Sequence, residues 1–386
     1  MSLKHKLKSL VVVSMGGIAT FAAINVYKQD EHFYKHYIMP VVHLLDPESA
    51  HRLGIVVSKY RLLPKANYTD PKQLNVTVFG KTFSNPIGIA AGFDKHAEAV
   101  LGLQDMGFGL VEIGSVTPQP QEGNAKPRVF RLNEDYAVIN RYGFNSDGHE
   151  VVYNRLNKLR SEAKFDGVLG INLGKNKESQ SAVNDYVAGI EKFGSLADYL
   201  VINISSPNTV GLRNLQGKEQ LRDLLKNVLE ARNKLQDPKP PLLLKVAPDL
   251  STQERKDVAE VIKSKGCKVD GLIVSNTTIH GRSALENKSR DETGGLSGRP
   301  VKEVSTEMIA EMYKLTNGLP IIGVGGVSCG QDAYEKIKAG ASIVQIYTTL
   351  VFDGPPVVTK IKRELAELLE RDNYKSISEA VGVDAK

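Results

Sequence analysis

The sequence predicts an α/β protein: a closed (β/α)8 barrel of the TIM type, set behind an N-terminal membrane anchor and a small two-helix cap. Three observations carry that prediction. From Asn85 onward, eight short apolar, β-rich runs alternate with helical patterns. Most of these runs carry Lys, Asn, Ser or Thr at or just beyond their ends. Ahead of them stand an acid-free apolar segment and an amphipathic pair of helices. The implied division is 1–29 as targeting segment and single transmembrane anchor, 30–64 as cap, and 65–386 as barrel.

Bulk composition excludes several classes. The 386 residues are 41% hydrophobic and 24% charged, enough for one large core. The net charge of +6 is concentrated at the start, where Lys4, Lys6, Lys8 and Lys28 precede the first acid, Asp30. The remainder is near balance and has no basic-aromatic stripe, so nucleic acid is not an expected partner. Cys267 and Cys329 fit neither a metal spacing nor a disulfide framework. Five of the eight histidines lie in the first 51 residues without an HExxH pattern, and no protein metal site is expected.

The anchor comes first along the chain. "MSLKHKLKSL" is basic and acid-free, and "LVVVSMGGIATFAAINVY", residues 10 to 27, is apolar apart from small residues and Asn25. Its 18 residues sit at the short end of the window for a spanning helix. A cleaved secretory signal is the alternative, but only weak small-residue cleavage signals precede Tyr27. A basic, acid-poor start that runs into an apolar helix fits a mitochondrial presequence with an anchor. With the Lys-rich end on the negative side, the rest of the chain faces the opposite compartment.

Residues 30 to 64 read as two short helices. Phe33, Tyr37, Val41 and Leu45 fall on one face of the first, with Ile38 and Val42 beside them, and Pro40 kinks or interrupts it. Asp46 as N-cap and Pro47 at the first helical position open the second, which sets Ala50, Leu53, Gly54 and Val57 on one face. The pair either packs as an ordinary cap or lies at the membrane and admits a lipid-soluble molecule between its helices. The anchor just before it favours the second.

The eight runs are "PIGIAAG", "LVEIGSVT", "VLGINLG", "YLVINISS", "PLLLKVAP", "DGLIVSNTT", "PIIGVGGV" and "SIVQIYTT". "NVTVFGKTF" before them reads as a hairpin closing the bottom of the barrel. Two connections are long, roughly 118 to 165 and 279 to 319. In this fold chemistry sits at the C-terminal rim. That rim collects Asp94 and Lys95, Ser115 and Thr117, Asn172 and Lys175, the turn "SSPNT", Lys245, Ser275 to Thr277, and Tyr347 with Thr348. So many amides and hydroxyls with so few acids point to an anionic ligand. "GVGGVSCG" has Ser328 where a dinucleotide fingerprint needs its last glycine, and it falls on the seventh run. It reads instead as half of a phosphate site, with Gly325 and Gly326 letting the backbone approach an oxyanion.

"GIAAGFDK", "VEIGSVTP", "INRYGFNS", "INLGKNK", "VINISSPNTVGLR", "TGGLSGRP", "IIGVGGV" and, in the cap, "DPESAHRLG" together closely resemble the class 2, quinone-dependent dihydroorotate dehydrogenases. The resemblance runs from about residue 31 to the C-terminus. It implies an FMN enzyme that oxidises dihydroorotate to orotate in pyrimidine (UMP) biosynthesis and passes the electrons to ubiquinone. It also implies a monomer anchored in inner mitochondrial membrane lipid, with the catalytic domain facing the intermembrane space.

Carried over by position, the resemblance implies that Ala90, Ala91, Gly92, Phe93 and Asp94 line FMN with Ser115, Asn172, Asn203, Lys245 and Ser275. Gly298, Gly326, Tyr347 and Thr348 complete that site, the last three around the phosphate. Lys95, Asn140, Arg141, Tyr142, Gly143, Phe144, Asn203, Asn208, Asn276 and Thr277 would hold the substrate, whose ring amides suit asparagine. Ser206 would take the proton from C5 while hydride leaves C6 for flavin N5, with Thr209 and a water as relay. Lys245 would face the flavin N1–C2=O edge. Beyond the turn, "VGLRNLQG" has the glycines of a lid.

Met39, His51, Arg131 and Tyr347 are the implied quinone-tunnel residues. The segment "MPVVHLL" is one residue shorter than its counterparts, which places His43 where they carry an uncharged polar group. Serine at 206 and the anchor argue against the other class and against a dihydrouracil-type oxidoreductase. The intact set of Lys95, Ser206 and Lys245 argues against a barrel reduced to a binding protein.

Overall fold

Eight parallel strands close on themselves in the computed structural model, which describes residues 3–162, 165 and 167–385. Met1, Ser2 and Lys386, at the outer ends of the predicted anchor and barrel, lie outside the described residues. The barrel strands are β3 (Ile87–Ile89), β4 (Leu110–Val116), β7 (Val168–Leu173), β8 (Tyr199–Asn203), β9 (Leu242–Val246), β10 (Gly271–Val274), β12 (Ile321–Val324) and β13 (Ala341–Ile346). These are the eight predicted runs. Every residue of β4, β7, β8, β9 and β10 is buried, which is why they read as continuous apolar stretches without alternation.

The hairpin β1 (Val76–Val78) and β2 (Lys81–Phe83) pairs Val76 with Phe83 and buries both. Its Phe79 ring lies 6.3 Å from that of Tyr199, the first residue of β8, so the hairpin closes the N-terminal end as the sequence predicts.

A second sheet was not anticipated. Strands β5 (Val129–Leu132), β6 (Ala137–Asn140) and β11 (Gly295–Gly298) pair antiparallel over their own small core of Leu132, Ala137, Ile139, Leu285 and Leu296. The two long connections therefore fold together above the rim.

Helix Leu3–Lys28 is 26 residues long with no buried residue. At about 1.5 Å per residue it runs about 39 Å, longer than a bilayer's hydrocarbon core. Its Phe21 ring meets that of Phe33 at 5.7 Å, leading the chain into the cap. The first cap helix is broken as Pro40 requires. Glu31–Phe33 is followed by a π-helical turn, Tyr34–Ile38, and then by Met39–Val42. A wider turn just before proline accommodates a ring that an α-turn would reject.

That turn also corrects the predicted face. An extra residue in the turn rotates the register, so Phe33, Tyr34 and Met39 are buried while Tyr37, Val41 and Leu45 are 57%, 64% and 43% exposed.

The second cap helix, Pro47–Lys59, starts as its sequence announces, with Asp46 accepting from the backbone N–H groups of Glu48 and Ser49, each at 3.1 Å. It docks on helix Val100–Asp105 through Gly102, where a Cβ would meet the Ser58 carbonyl oxygen at 1.9 Å. Arg52 and Lys59 pair with Glu98 beside that contact.

Candidate active site

A cavity of about 420 Å³ opens from the C-terminal rim of the barrel and continues between the cap helices. Its floor is a belt of amides and hydroxyls drawn from several strand ends. Asn203 Nδ2 donates to Ser115 Oγ at 2.9 Å and to Asn172 Oδ1 at 3.2 Å. Ser115 donates to the same Asn172 oxygen. Asn276 Nδ2 donates to Asn203 Oδ1 at 3.2 Å and to Ser205 Oγ at 2.9 Å. Because each side chain is held by another on a different strand, the belt is fixed before any ligand arrives.

Ser206 follows β8 in the turn that the belt supports. Its Oγ accepts from the Asn208 N–H at 3.3 Å, and the nearby Thr209 hydroxyl is buried with no hydrogen-bond partner. Arg213 clamps this turn. Its guanidinium donates to the Ser205 carbonyl at 3.0 Å, the Thr277 carbonyl at 3.0 Å and Asp249 Oδ2 at 2.6 Å. Asp249 also accepts from the Thr278 hydroxyl and the Ile279 N–H. Neither Arg213 nor Asp249 was singled out from sequence as a clamp, although Arg213 is the charged member of "VGLR".

Lys95 lies deep in the rim with its Nζ 4.3 Å from the centre of the Tyr142 ring. Burial, with Arg128 adding to it, pushes its amine down to about 8. The Tyr142 hydroxyl lies 2.9 Å from His51 Nδ1, and His51 Nε2 lies 2.8 Å from the Phe93 carbonyl. A carbonyl only accepts, so Nε2 carries the hydrogen and Nδ1 takes one from Tyr142. Burial, then Lys95, hold this imidazole down at about 4, so it is neutral at ordinary pH.

Toward the cap the wall turns apolar, with Met39, Leu53, Gly54 and Val57 facing it. Arg131 is the polar exception. One Nη donates to the His43 carbonyl at 3.1 Å, while its Nε and other Nη are buried without partners. His43 itself lies 2.8 Å from the Val351 carbonyl through Nε2, and burial lowers its pKa.

At the ends of β12 and β13 the backbone comes close by design of its glycines. Gly326 has φ +70°, and a Cβ there would lie 2.6 Å from the Lys302 backbone. Thr348 Oγ1 donates to Ser297 Oγ at 2.9 Å, which ties β11 to this corner.

The cavity brings together most of the residues that the resemblance implied. Ala90, Ala91, Gly92, Phe93, Lys95, Ser115, Asn140, Tyr142, Gly143, Phe144, Asn203, Ser206, Asn208, Lys245, Ser275, Asn276, Thr277, Gly298, Gly326, Tyr347 and Thr348 all line it, as do Met39, His51 and Arg131. Three others stand apart. Asp94 is buried behind the rim, where its carboxylate accepts from the N–H groups of Glu98 and Ala99 at 2.9 and 2.8 Å. Asn172 sits beneath the belt it supports. Arg141 turns outward to Glu292 at 2.7 Å and over the Phe130 ring, joining the two long connections.

Comparison with known proteins gives this arrangement its context. A family model described as dihydroorotate dehydrogenase matches residues 73–369. The mitochondrial quinone dihydroorotate dehydrogenase of Mus musculus is 55% identical across 99% of this chain and 98% of its own. That of Oryza sativa is 51% identical across 90% of this chain and 80% of its own. The crystal structure of the Eimeria tenella enzyme in complex with ferulenol superposes with a TM-score of 0.85 at 43% identity, covering 89% of this chain and 98% of that one. Half or more of the aligned residues are shared with each of the two curated relatives over at least 90% of the chain, and the chain therefore belongs to the quinone-dependent dihydroorotate dehydrogenases.

Proposed function

We propose that the protein oxidises (S)-dihydroorotate to orotate on bound FMN and passes the electrons to ubiquinone, serving de novo UMP synthesis at the inner mitochondrial membrane. The observation that carries this reading is the single cavity joining the amide belt and Ser206 to the apolar gap between the cap helices. Its volume of about 420 Å³ is that of a cofactor-sized site.

The residues present suit a flavin mononucleotide. Gly325, Gly326, Ser328 and Thr348 bring small side chains and backbone to the cavity wall where a phosphate would sit, and Gln345, at the floor, has a buried amide oxygen with no partner. Ala90 to Gly92, Ser115, Asn203, Lys245, Ser275, Gly298, Tyr347 and Thr348 would hold the group. The chemistry it supplies when bound is acceptance of two electrons from C6 of the substrate and their release to the quinone.

The chain's own residues supply the rest. Lys95 meets the substrate carboxylate, and Asn140, Asn203, Asn208 and Asn276 pair with ring groups that both donate and accept. Ser206 takes the C5 proton. As it does so its own hydroxyl proton passes toward the unpartnered Thr209 hydroxyl and on to water, and the Asn208 N–H on its Oγ stabilises the negative charge that this departure develops there. At the other end Arg131 presents unpaired donors to a quinone oxygen, with Met39, His51 and Tyr347 around it. The apolar helix Leu3–Lys28 serves as a single-pass anchor, with the barrel as a monomer in the intermembrane space.

Denaturing the purified protein is expected to release a flavin of FMN mass, and anaerobic dihydroorotate is expected to bleach the bound flavin. Ser206→Ala should keep flavin and orotate binding and slow the bleaching by about 10²–10⁴. Release of FAD overturns the cofactor reading, and bleaching at the wild-type rate in the Ala variant removes Ser206 as the base.

A further inference from the structure

Beneath the amide belt the barrel interior holds an ionic group that the steps above leave unused. Glu112 lies mid-strand on β4 with no solvent contact. Its carboxylate accepts from three other strands. Asn172 Nδ2 of β7 reaches Oε1 at 2.9 Å. The Tyr199 hydroxyl of β8 and Gln345 Nε2 of β13 reach Oε2 at 3.0 and 2.7 Å. Tyr199 can cross the interior because Gly170 stands opposite, where a Cβ would lie 2.2 Å from its ring. Such a set suits a group that accepts at both oxygens.

The remaining neighbour is Lys245 of β9, whose Nζ stands 4.0 Å from Glu112 Oε1. This lysine lines the cavity at its floor, with Glu112 beneath it and, among the described residues, the Tyr199 phenol, held neutral by burial and then by Glu112, beside the pair. Burial lowers the pKa of Lys245, and the Glu112 carboxylate opposes that lowering.

We propose that Glu112 is the positioning residue for Lys245: from inside the barrel it fixes the amine at the cavity floor and keeps it a cation ready for charge developing above it. The proposal rests on the cavity being a flavin site. A fixed cation there stabilises a group that gains electrons without waiting for solvent to reorganise. Without Glu112 the buried lysine sheds its proton, and the cation must be restored from water at each reduction.

The test uses the full chain and its Glu112→Gln and Glu112→Gln/Lys245→Met variants, with melting temperatures measured between neutrality and roughly pH 10. A lysine whose folded pKa is depressed weakens the fold while it must stay charged. That cost is relieved as pH rises through the folded value toward the ordinary lysine value, about 10.4. Removing Glu112 deepens the depression. The Glu112→Gln deficit should therefore be largest near neutrality and shrink to less than half at the alkaline end. The double variant should lose that pH dependence. In the flavin-loaded Gln variant, reduction by dithionite should also take up one more proton per two electrons than wild type, the proton going to Lys245.

A deficit that is constant with pH, with proton uptake unchanged, means that Glu112 only fills the barrel and overturns the proposal. Where Glu112→Gln does not fold, Glu112→Asp draws the carboxylate back from the amine and should show the same trend at smaller amplitude. A protein that takes up no FMN overturns the cofactor reading alone, because the melting series still decides the role of Glu112.

Discussion

Lys95 and Arg128 share the ring of Tyr142, with the amine at 4.3 Å and the guanidinium carbon at 5.1 Å from its centre. Burial and then this second cation hold the Lys95 amine down to about 8, so it titrates close to working pH. If it is the partner of the substrate carboxylate, orotate affinity is full below that value and is lost above it. The dissociation constant for orotate, read from its effect on flavin absorbance, should rise by roughly an order of magnitude per pH unit beyond about 8. Lys95→Arg should flatten the profile, because a guanidinium stays charged throughout. Residues of this kind were legible in the sequence because a polar group at the end of an apolar run has few structural excuses. Glu112 was not, because one acid inside "LVEIGSVT" looks like an ordinary strand position until four neighbouring strands are seen to converge on it.

At the scale of elements, the turn after β8 is held from outside by Arg213 and Asp249. Arg213→Ala removes charge-assisted bonds to two carbonyls and leaves Asp249 without its cation, a loss of about 2–3 kcal/mol in stability. The larger effect should fall on flavin reduction, because Ser206 sits in the released turn. Stopped-flow reduction of the variant is expected to slow more than orotate binding weakens, and equal losses in both would make Arg213 a binding residue only.

The barrel strands themselves are legible in the sequence because burial on both faces leaves an unbroken apolar signature. The sheet of β5, β6 and β11 escaped because its pairing joins residues as far apart in the chain as Val138 and Ser297. Its local clue, the two alternating stretches around "NED", is short. The cap face departs from its sequence pattern for a different reason. Helical periodicity assumes one pitch, and the π-turn before Pro40 changes it.

For the whole molecule, the division of labour between cap and barrel is open to a direct experiment. Removing residues 1–29 should abolish membrane attachment and leave turnover with a soluble quinone. Removal through Leu63 uncovers the cavity, yet the rim residues and the amide belt all lie beyond that point. Flavin reduction by dihydroorotate should persist in a folded, flavin-loaded truncation, while reoxidation by long-chain ubiquinone falls sharply. Unchanged affinity for long-chain quinone in that truncation would place the acceptor's entrance elsewhere.

The π-turn before Pro40 leaves Tyr37 and Val41 facing outward, and Leu44 beyond it is 85% exposed, in a cap that follows the helix Leu3–Lys28, which has no buried residue. If, as proposed, the cap is pressed to a bilayer through these side chains, the acceptor approaches within a sheet of lipid and not from the surrounding solution. Its relevant concentration is then a mole fraction in that sheet. The oxidative step becomes a two-dimensional encounter, which diluting the suspension leaves unchanged and diluting the lipid slows.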